Sequence, residues 1–313
     1  MKNYTYFLFI LILPFAHIRA HENIIFCQTK FSILQDTIPV FTLPEIPPIM
    51  ATPEMRYEYL AEHYWDNMDF ADNRYIYHPE IMEKIWVNYC DILGHVSLTT
   101  AQKSIKKTIE QTNVSKQIFT CITNLADKYL YNPNSPVRNE EFYIPVLEVM
   151  INSPLLNRTE KIRPQARLTL AYKNRIGTQA SDFIYTLESG KRGSLYQLDT
   201  DYILLFINNP GCHACSSTIE QLKKATIINE LLQEKKLVLL SIYPDEELNE
   251  WKRHLSDFPN NWINAYDKQL IIRDKQLYDL KAIPTLYLID KNKIVLLKDT
   301  SVVMIEKYLY LHK

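Results

Sequence analysis

Two cysteines separated by two residues, Cys212 and Cys215, stand between an apolar run and a helical pattern. The run from Tyr202 to Ile207 has the composition of a buried strand. A thiol at the start of a helix meets unpaired backbone N–H groups and the positive end of the helix dipole, and both favour the thiolate. A second thiol three positions later can attack the mixed disulfide that the first one forms. The pattern therefore predicts a redox-active dithiol in which Cys212 is the nucleophile and Cys215 resolves the intermediate.

The cysteine pair has two other interpretations. A disulfide that only stabilises the fold would close a loop of about four residues, and the expected gain is only about 2 kcal/mol. A zinc site needs a second pair of ligands at similar spacing, which the sequence does not contain. Neither interpretation explains the position at a helix start, so redox chemistry is favoured, and neither a metal nor another cofactor is expected.

His213 directly follows the first cysteine. A protonated imidazole there would stabilise a neighbouring thiolate and make the disulfide more oxidising. We therefore predict that His213 tunes the pKa of Cys212. The alternative is an exposed residue at the start of a helix that has no effect on the thiol.

The N-terminus carries the pattern of an export signal. Lys2 precedes an apolar run from Tyr6 to Phe15, and Ala20 is the expected cleavage position. The run is too short for a membrane span, which needs about 20 residues, so we predict a signal peptide over 1–20 and membrane attachment only if it stays uncleaved. Export implies a compartment that permits disulfides.

The formal net charge of the chain is −1, so there is no excess of positive charge to attract nucleic acid. Nucleic acid is therefore not an expected partner.

The sequence from 21 to 175 predicts an extended linker followed by helices. Residues 21–52 are rich in proline and are predicted to be extended. From 53 to 175 apolar residues recur at helical spacing without sustained alternation, which predicts an all-helical domain of about five or six helices. Cys90 and Cys121 fall on apolar faces of these helices and are either buried free thiols or a structural bridge.

After Gly177 the pattern changes to alternating strands and helices, which predicts an α/β domain over 176–313 with both faces of its sheet covered. Pro284 comes at the start of one strand, where proline is compatible with pairing. A cis-proline there, beside the cysteines, would leave the Ile283 backbone free to pair with an extended substrate. Strands are predicted at 183–187, 202–207, 237–242, 284–289 and 294–298, and helices at 212–235, 245–257, 270–280 and 302–310.

These motifs, in this order, resemble the thioredoxin-fold domain of the TlpA-like branch, the exported thiol–disulfide oxidoreductases of bacterial envelopes. Ala180-Ser181-Asp182-Phe183 is similar to the A-P-D-F motif that opens the domain, and Cys212-His213-Ala214-Cys215 is similar to its active site. Ile283-Pro284-Thr285 resembles its cis-proline loop. The long spacing from the cysteines to this loop resembles the strand–helix insertion of the branch, here within 245–267. The helical half resembles a domain of unknown function that precedes thioredoxin-like domains in envelope proteins of Bacteroidetes-type bacteria.

The resemblance implies an α + α/β chain, an N-terminal all-helical domain followed by a thioredoxin-fold α/β domain with a TlpA-like insertion. It implies an exported thiol–disulfide oxidoreductase of the periplasm or cell envelope. Its expected partners are cysteine-containing envelope proteins and an unidentified thiol–disulfide redox donor. Ile283, Pro284 and Thr285 are implied to dock the substrate.

Two residues depart from the family pattern. Gly211 stands where members usually carry tryptophan, and Phe206 stands where thioredoxin has the buried aspartate that accepts a proton from the second thiol. The second departure leaves an alternative open, in which the chain is a non-catalytic thioredoxin-like interaction protein or redox sensor.

Overall fold

The computed structural model describes residues 39–312. The predicted signal peptide, Cys27 and residues 21–38 of the proline-rich segment lie outside the described residues. The part of that segment that is described, 39–51, has no helix or strand. Its Phe41 ring packs 5.2 Å from Tyr64 and 5.9 Å from Trp65, so this stretch lies against the helices that follow.

Between residues 53 and 172 the structure has seven α-helices, which confirms the all-helical prediction. The first begins where the sequence indicates, because the Thr52 hydroxyl accepts a hydrogen bond from the Met55 backbone N–H at 3.3 Å. A π-helical turn, Asp127–Tyr131, continues the fifth helix. The count exceeds the prediction because one helix is a single turn, too short to show a period. The helices are α1 Pro53–His63, α2 Arg74–Tyr77, α3 Pro79–Leu93, α4 Leu98–Gln111, α5 Lys116–Ala126, α6 Glu140–Asn152 and α7 Arg158–Tyr172. We call 53–172 the helical domain.

The helical domain packs around a cluster of aromatic side chains. The Tyr89 ring lies 5.2 Å from Trp65 and 5.6 Å from Trp86, and all three are buried. Cys90 is buried and Cys121 half-buried, and both are free thiols rather than a bridge. Burial raises the pKa of Cys90 to about 12, so this thiol is protonated and unreactive at neutral pH.

The α/β domain is built on one sheet. Within the described residues seven strands pair in the order β2-β1-β5-β4-β3-β6-β7. The central strand β3 pairs parallel with β4 and antiparallel with β6, which explains its unbroken apolar sequence. The strands are β1 Ile184–Leu187, β2 Arg192–Ser194, β3 Tyr202–Ile207, β4 Leu237–Tyr243, β5 Ile263–Tyr266, β6 Thr285–Asp290 and β7 Val295–Lys298. The helices are α8 His213–Lys224, α9 Thr226–Gln233, α10 Leu248–Arg253, α11 Ile271–Asp274 and α12 Val302–His312.

The single helix predicted over 212–235 is wrong, because the chain breaks it into α8 and α9. Ala225 has an extended backbone, with φ −69° and ψ 115°. The Asn229 side chain donates to the Leu222 carbonyl at 2.9 Å at the end of α8, and the Glu306 carboxylate accepts from the Ile228 N–H at 2.8 Å at the start of α9. Glu306 is 78 residues from the N–H that it caps, so no local pattern could indicate this contact.

The segment between β4 and β6 also differs from the prediction. The predicted helix over 270–280 is only the turn α11, since Asp267 accepts from the Ile272 N–H at 2.7 Å and the chain then becomes a loop. The helix predicted over 245–257 is the shorter α10 followed by a 3₁₀ turn. Strand β5 is absent from the prediction because its four residues are too few to establish a period. It lies between β1 and β4, within the stretch assigned to the insertion.

Both faces of the sheet are covered. On one face Phe206 and Leu204 of β3 pack with apolar residues of α8, α9 and α12. On the other, Leu205 of β3 and Tyr287 of β6 pack with Ile272 of α11 and with Tyr278, which follows that helix. Among the helices between residues 39 and 312, none combines the length and hydropathy of a membrane span.

Replacing Phe206 by alanine should destabilise the α/β domain by about 3–5 kcal/mol, because the ring is fully buried and its removal leaves a cavity beside Trp262. Urea denaturation followed by circular dichroism measures this loss. Val303→Ala is the control, since this side chain is 70% exposed, and it should change the free energy of unfolding by less than about 0.5 kcal/mol. A similar small change for Phe206→Ala would contradict the packing described here.

Candidate active site

The loop after β3 places Cys212 at the helix N-terminus that the sequence predicts. Cys212 is the N-cap residue of α8, with φ −79° and ψ 122°. Gly211, just before it, has φ +75°, a conformation that L side chains rarely adopt. The backbone conformation at position 211 therefore explains why a glycine stands there. A tryptophan at this position would require a different turn into the helix.

The Cys212 thiol is partly exposed and its thiolate is stabilised. The backbone N–H of Cys215 is the main cause that holds the pKa of Cys212 below its ordinary value. Partial burial opposes this effect, and the Cys215 thiol and the Ala214 N–H add to it. The two N–H donors belong to the first turn of the helix, so most of the lowering of this pKa follows from the position of Cys212 in the chain.

The Cys215 thiol has the opposite environment. Its residue is only 2% exposed, and burial raises the pKa of Cys215 to about 12. The backbone N–H of Asn209 donates to its sulfur at 3.4 Å, a contact that no side-chain pattern could predict. Within the described residues no carboxylate is among the groups that shift this pKa, and Phe206 is packed in the core. The pKa of Cys212 is therefore lowered and that of Cys215 raised, the asymmetry that the predicted roles require.

The predicted docking residue Ile283 lies next to the nucleophile, although 71 positions separate the two in sequence. The Ile283 carbonyl oxygen is 3.9 Å from the Cys212 sulfur, and the Ile283–Pro284 peptide is cis. Thr285 is the first residue of β6 and pairs with Ile207, the last residue of β3. We call 275–285, which leads into β6, the docking loop.

His213 is the first residue of α8 and its side chain is exposed. It is not among the described groups that lower the pKa of Cys212. Its tuning role stays a prediction, and its exposure matches the alternative interpretation of a helix-start residue.

The structure adds one acidic neighbour that the sequence analysis missed. A Cβ on Gly211 would lie 3.9 Å from a carboxylate oxygen of Glu250 on α10. Glu250 also lies 3.1 Å from the His254 ring, and hydrogen bonds from His254 to Asp257 and Glu250 raise the pKa of the imidazole. The i, i+4 spacing could have indicated the pair, but only the fold shows its place beside the cysteines. In residues 39–312 no group of three or more potential metal ligands is present.

Two family models match the chain. A domain of unknown function (DUF5106) matches residues 25–174, and a thioredoxin-like family matches residues 199–295. A thioredoxin-like protein from Bacteroides caccae ATCC 43185 is 66% identical, with 88% of this chain and 100% of that chain covered and a TM-score of 0.87. The chain therefore belongs to the thioredoxin-like proteins, with a DUF5106 domain before the thioredoxin-like one. The thioredoxin-like domain predicted for the C-terminal half and the domain of unknown function predicted before it are confirmed.

Further solved structures resemble the C-terminal half. The C-terminal domain of an uncharacterized protein from Bacteroides fragilis NCTC 9343 is 61% identical, covering 44% of this chain and 99% of that chain, with a TM-score of 0.44. A putative thiol:disulfide interchange protein DsbE from Chlorobium tepidum is 21% identical, covering 44% of this chain and 96% of that chain, with a TM-score of 0.37. Comparison with curated proteins gave no match.

At pH 7 iodoacetamide should alkylate Cys212 at least about tenfold faster than Cys215, because only the thiolate reacts and the two pKa values are shifted in opposite directions. The Cys212 rate should fall as the pH drops through its pKa, with a midpoint below that of an ordinary cysteine. Peptide mapping by mass spectrometry measures both rates in one sample. Half-buried Cys121, whose pKa is raised by burial, is the internal control and should react slowly. Equal rates at Cys212 and Cys215 would contradict the assigned environments.

Proposed function

We propose that the chain is a thiol–disulfide oxidoreductase that exchanges disulfides with cysteine-containing proteins through Cys212 and Cys215. One observation carries the proposal: a partly exposed thiol with a lowered pKa and a buried thiol with a raised pKa share one helical turn, and the backbone carbonyl of Ile283 lies 3.9 Å from the exposed thiol. A disulfide that served only the fold would need no such difference between its two sulfurs.

The first step forms a mixed disulfide. The Cys212 thiolate attacks one sulfur of the substrate disulfide, a bond forms between these two sulfurs, and the substrate S–S bond breaks. The other substrate sulfur leaves as a thiolate and takes a proton. The partly exposed position of Cys212 gives the substrate sulfur access to the nucleophile.

The second step releases the substrate. Cys215 loses its proton to the departing thiolate or to water, and its sulfur attacks Cys212 to form the Cys212–Cys215 disulfide. The substrate leaves with two thiols, reduced by two electrons, and the protein is oxidised by the same two. A thiol–disulfide redox donor then returns the pair to the dithiol form. In the oxidising direction the same steps run in reverse.

The docking loop would hold the substrate during these steps. An extended peptide that pairs with the Ile283 backbone would bring its sulfur next to Cys212, because the Ile283 carbonyl is 3.9 Å from that thiol. Pro284 has no N–H to compete for the substrate, and Thr285 anchors the loop to the sheet.

The compartment and partners are part of the proposal. The pattern of residues 1–20 supports export to the periplasm or cell envelope, where disulfides persist. Cysteine-containing envelope proteins would be the substrates there.

A second function, a non-catalytic interaction protein or redox sensor, is favoured by one observation. Phe206 offers no proton acceptor, and burial raises the pKa of Cys215 to about 12, so the resolving step would be slow. Insulin reduction in the presence of dithiothreitol separates the two functions. Sustained turnover above the dithiothreitol background supports the oxidoreductase, and a single stoichiometric exchange supports the sensor.

The variant Cys215→Ser should trap the mixed disulfide, because the resolving thiol is gone while the nucleophile keeps its helix position. Incubation with a peptide that contains one disulfide should give a covalent adduct at Cys212, seen as a mass increase that dithiothreitol removes. The double variant Cys212→Ser/Cys215→Ser is the matched control and should give none. A Cys215→Ser protein that forms no adduct, while Cys212 still reacts with iodoacetamide, would rule out disulfide exchange as the function.

A further inference from the structure

The start of the docking loop is tied to the end of the helical domain. Lys173, directly after α7, donates from its ammonium to two carbonyl oxygens of the loop at 2.8 and 3.2 Å. Asn174 donates from its side-chain amide to the Leu277 carbonyl at 2.9 Å. These bonds hold the backbone of the loop rather than its side chains.

The other end of the docking loop is tied to the helical domain through Lys281. This side chain is only 10% exposed, and its ammonium lies 3.0 Å from Glu140 at the start of α6. It also lies 2.9 Å from Asp279 of the same loop and 3.6 Å from Asp299 after β7. The ammonium therefore joins a carboxylate of the helical domain to two carboxylates of the α/β domain.

Asp299 extends this connection to the residue beside Pro284. Its carboxylate accepts from the Thr285 hydroxyl at 3.2 Å. The same carboxylate pairs with Arg138 at 3.2 Å, and Arg138 also donates to the Asp299 backbone carbonyl at 3.1 Å. One residue thus connects an arginine just before α6 to the first residue of β6.

The groups form a charge-balanced cluster, which we call the interdomain cluster. Lys298, only 5% exposed, completes it with a 2.5 Å contact to Glu140 and bonds to the carbonyls of Ala171 and Lys173. Because these charges are largely removed from water, the loss of one leaves its partners poorly compensated. The cluster consists of three cations and three carboxylates: Arg138, Lys281, Lys298, Glu140, Asp279 and Asp299.

We infer that the helical domain sets the conformation of the docking loop, and that Arg138 and Glu140 are positioning residues for substrate docking. A loop without these ties would lose conformational freedom when a substrate binds, which weakens affinity. With them the loop is ordered before the substrate arrives. The consequence for catalysis rests on the proposed function, whereas the ordering of the loop does not.

The ordering is tested by amide hydrogen exchange on the full chain. Glu140→Gln and Arg138→Gln should each accelerate exchange of amides in the docking loop by about tenfold. The first removes the carboxylate that pairs with Lys281 and Lys298, and the second removes the cation that pairs with Asp299. The control is Glu83→Gln, which breaks an ion pair with Lys128 inside the helical domain and does not contact the loop. It should leave exchange in the loop unchanged. Amides of α3 and β3 report on the fold as a whole, and in Glu140→Gln and Arg138→Gln their exchange should accelerate much less than that of the docking loop.

Docking is tested by kinetics on the same proteins with fluorescently labelled insulin. Glu140→Gln should raise KM about fivefold and change kcat by less than about twofold, because binding and not the thiol chemistry is affected. The alkylation rate of Cys212 by iodoacetamide should stay within about twofold of the wild-type rate. A variant that only destabilised the fold would change the Cys212 rate and would accelerate exchange in α3 and β3 as much as in the docking loop.

Two results would overturn the inference. One is unchanged exchange in the docking loop of both Glu140→Gln and Arg138→Gln. The other is an equal effect of Glu83→Gln on the loop. If wild-type protein does not turn over insulin, the proposed function fails, and the exchange measurement still decides whether the helical domain orders the loop.

Discussion

The antiparallel pairing of β3 with β6 is the constraint on which the site depends. In its register Ile207, at the end of one strand, faces Thr285, at the start of the other. The chain that leaves β3 and the chain that enters β6 therefore meet at one edge of the sheet. A slip of one residue would turn every side chain of β6 to the opposite face and move Ile283 away from Cys212.

The opposite pKa shifts of the two thiols follow from their spacing of three residues along the first turn of α8. Cys212, as the N-cap, receives unpaired backbone N–H groups and keeps contact with solvent. Cys215, one turn further, points into the domain and is removed from water. Neither effect needs a charged neighbour, so the site separates its two roles by backbone geometry and burial. Gly211 contributes to this arrangement because the turn into α8 requires a positive φ at that residue.

The helical domain is connected to the docking loop of the active site by ion pairs and hydrogen bonds. Its ties end on the docking loop and on the residue that follows Pro284, and they are ionic and largely buried. Ion pairs in such surroundings contribute little net stability but are sensitive to geometry, so they favour one arrangement over others. The interdomain cluster is therefore better suited to order the loop than to stabilise the fold.

The sequence by itself determined the elements whose signal is local. The unbroken apolar run of β3, the cap at Thr52 and the position of Cys212 at a helix start all depend on neighbours in sequence. The tertiary structure alone decided the break at Ala225 and the short strand β5, because distant groups satisfy their backbone. It also decided the contact of Asn209 with Cys215 and the ties of the docking loop, since the chain must fold before backbone groups and ions far apart in sequence can meet.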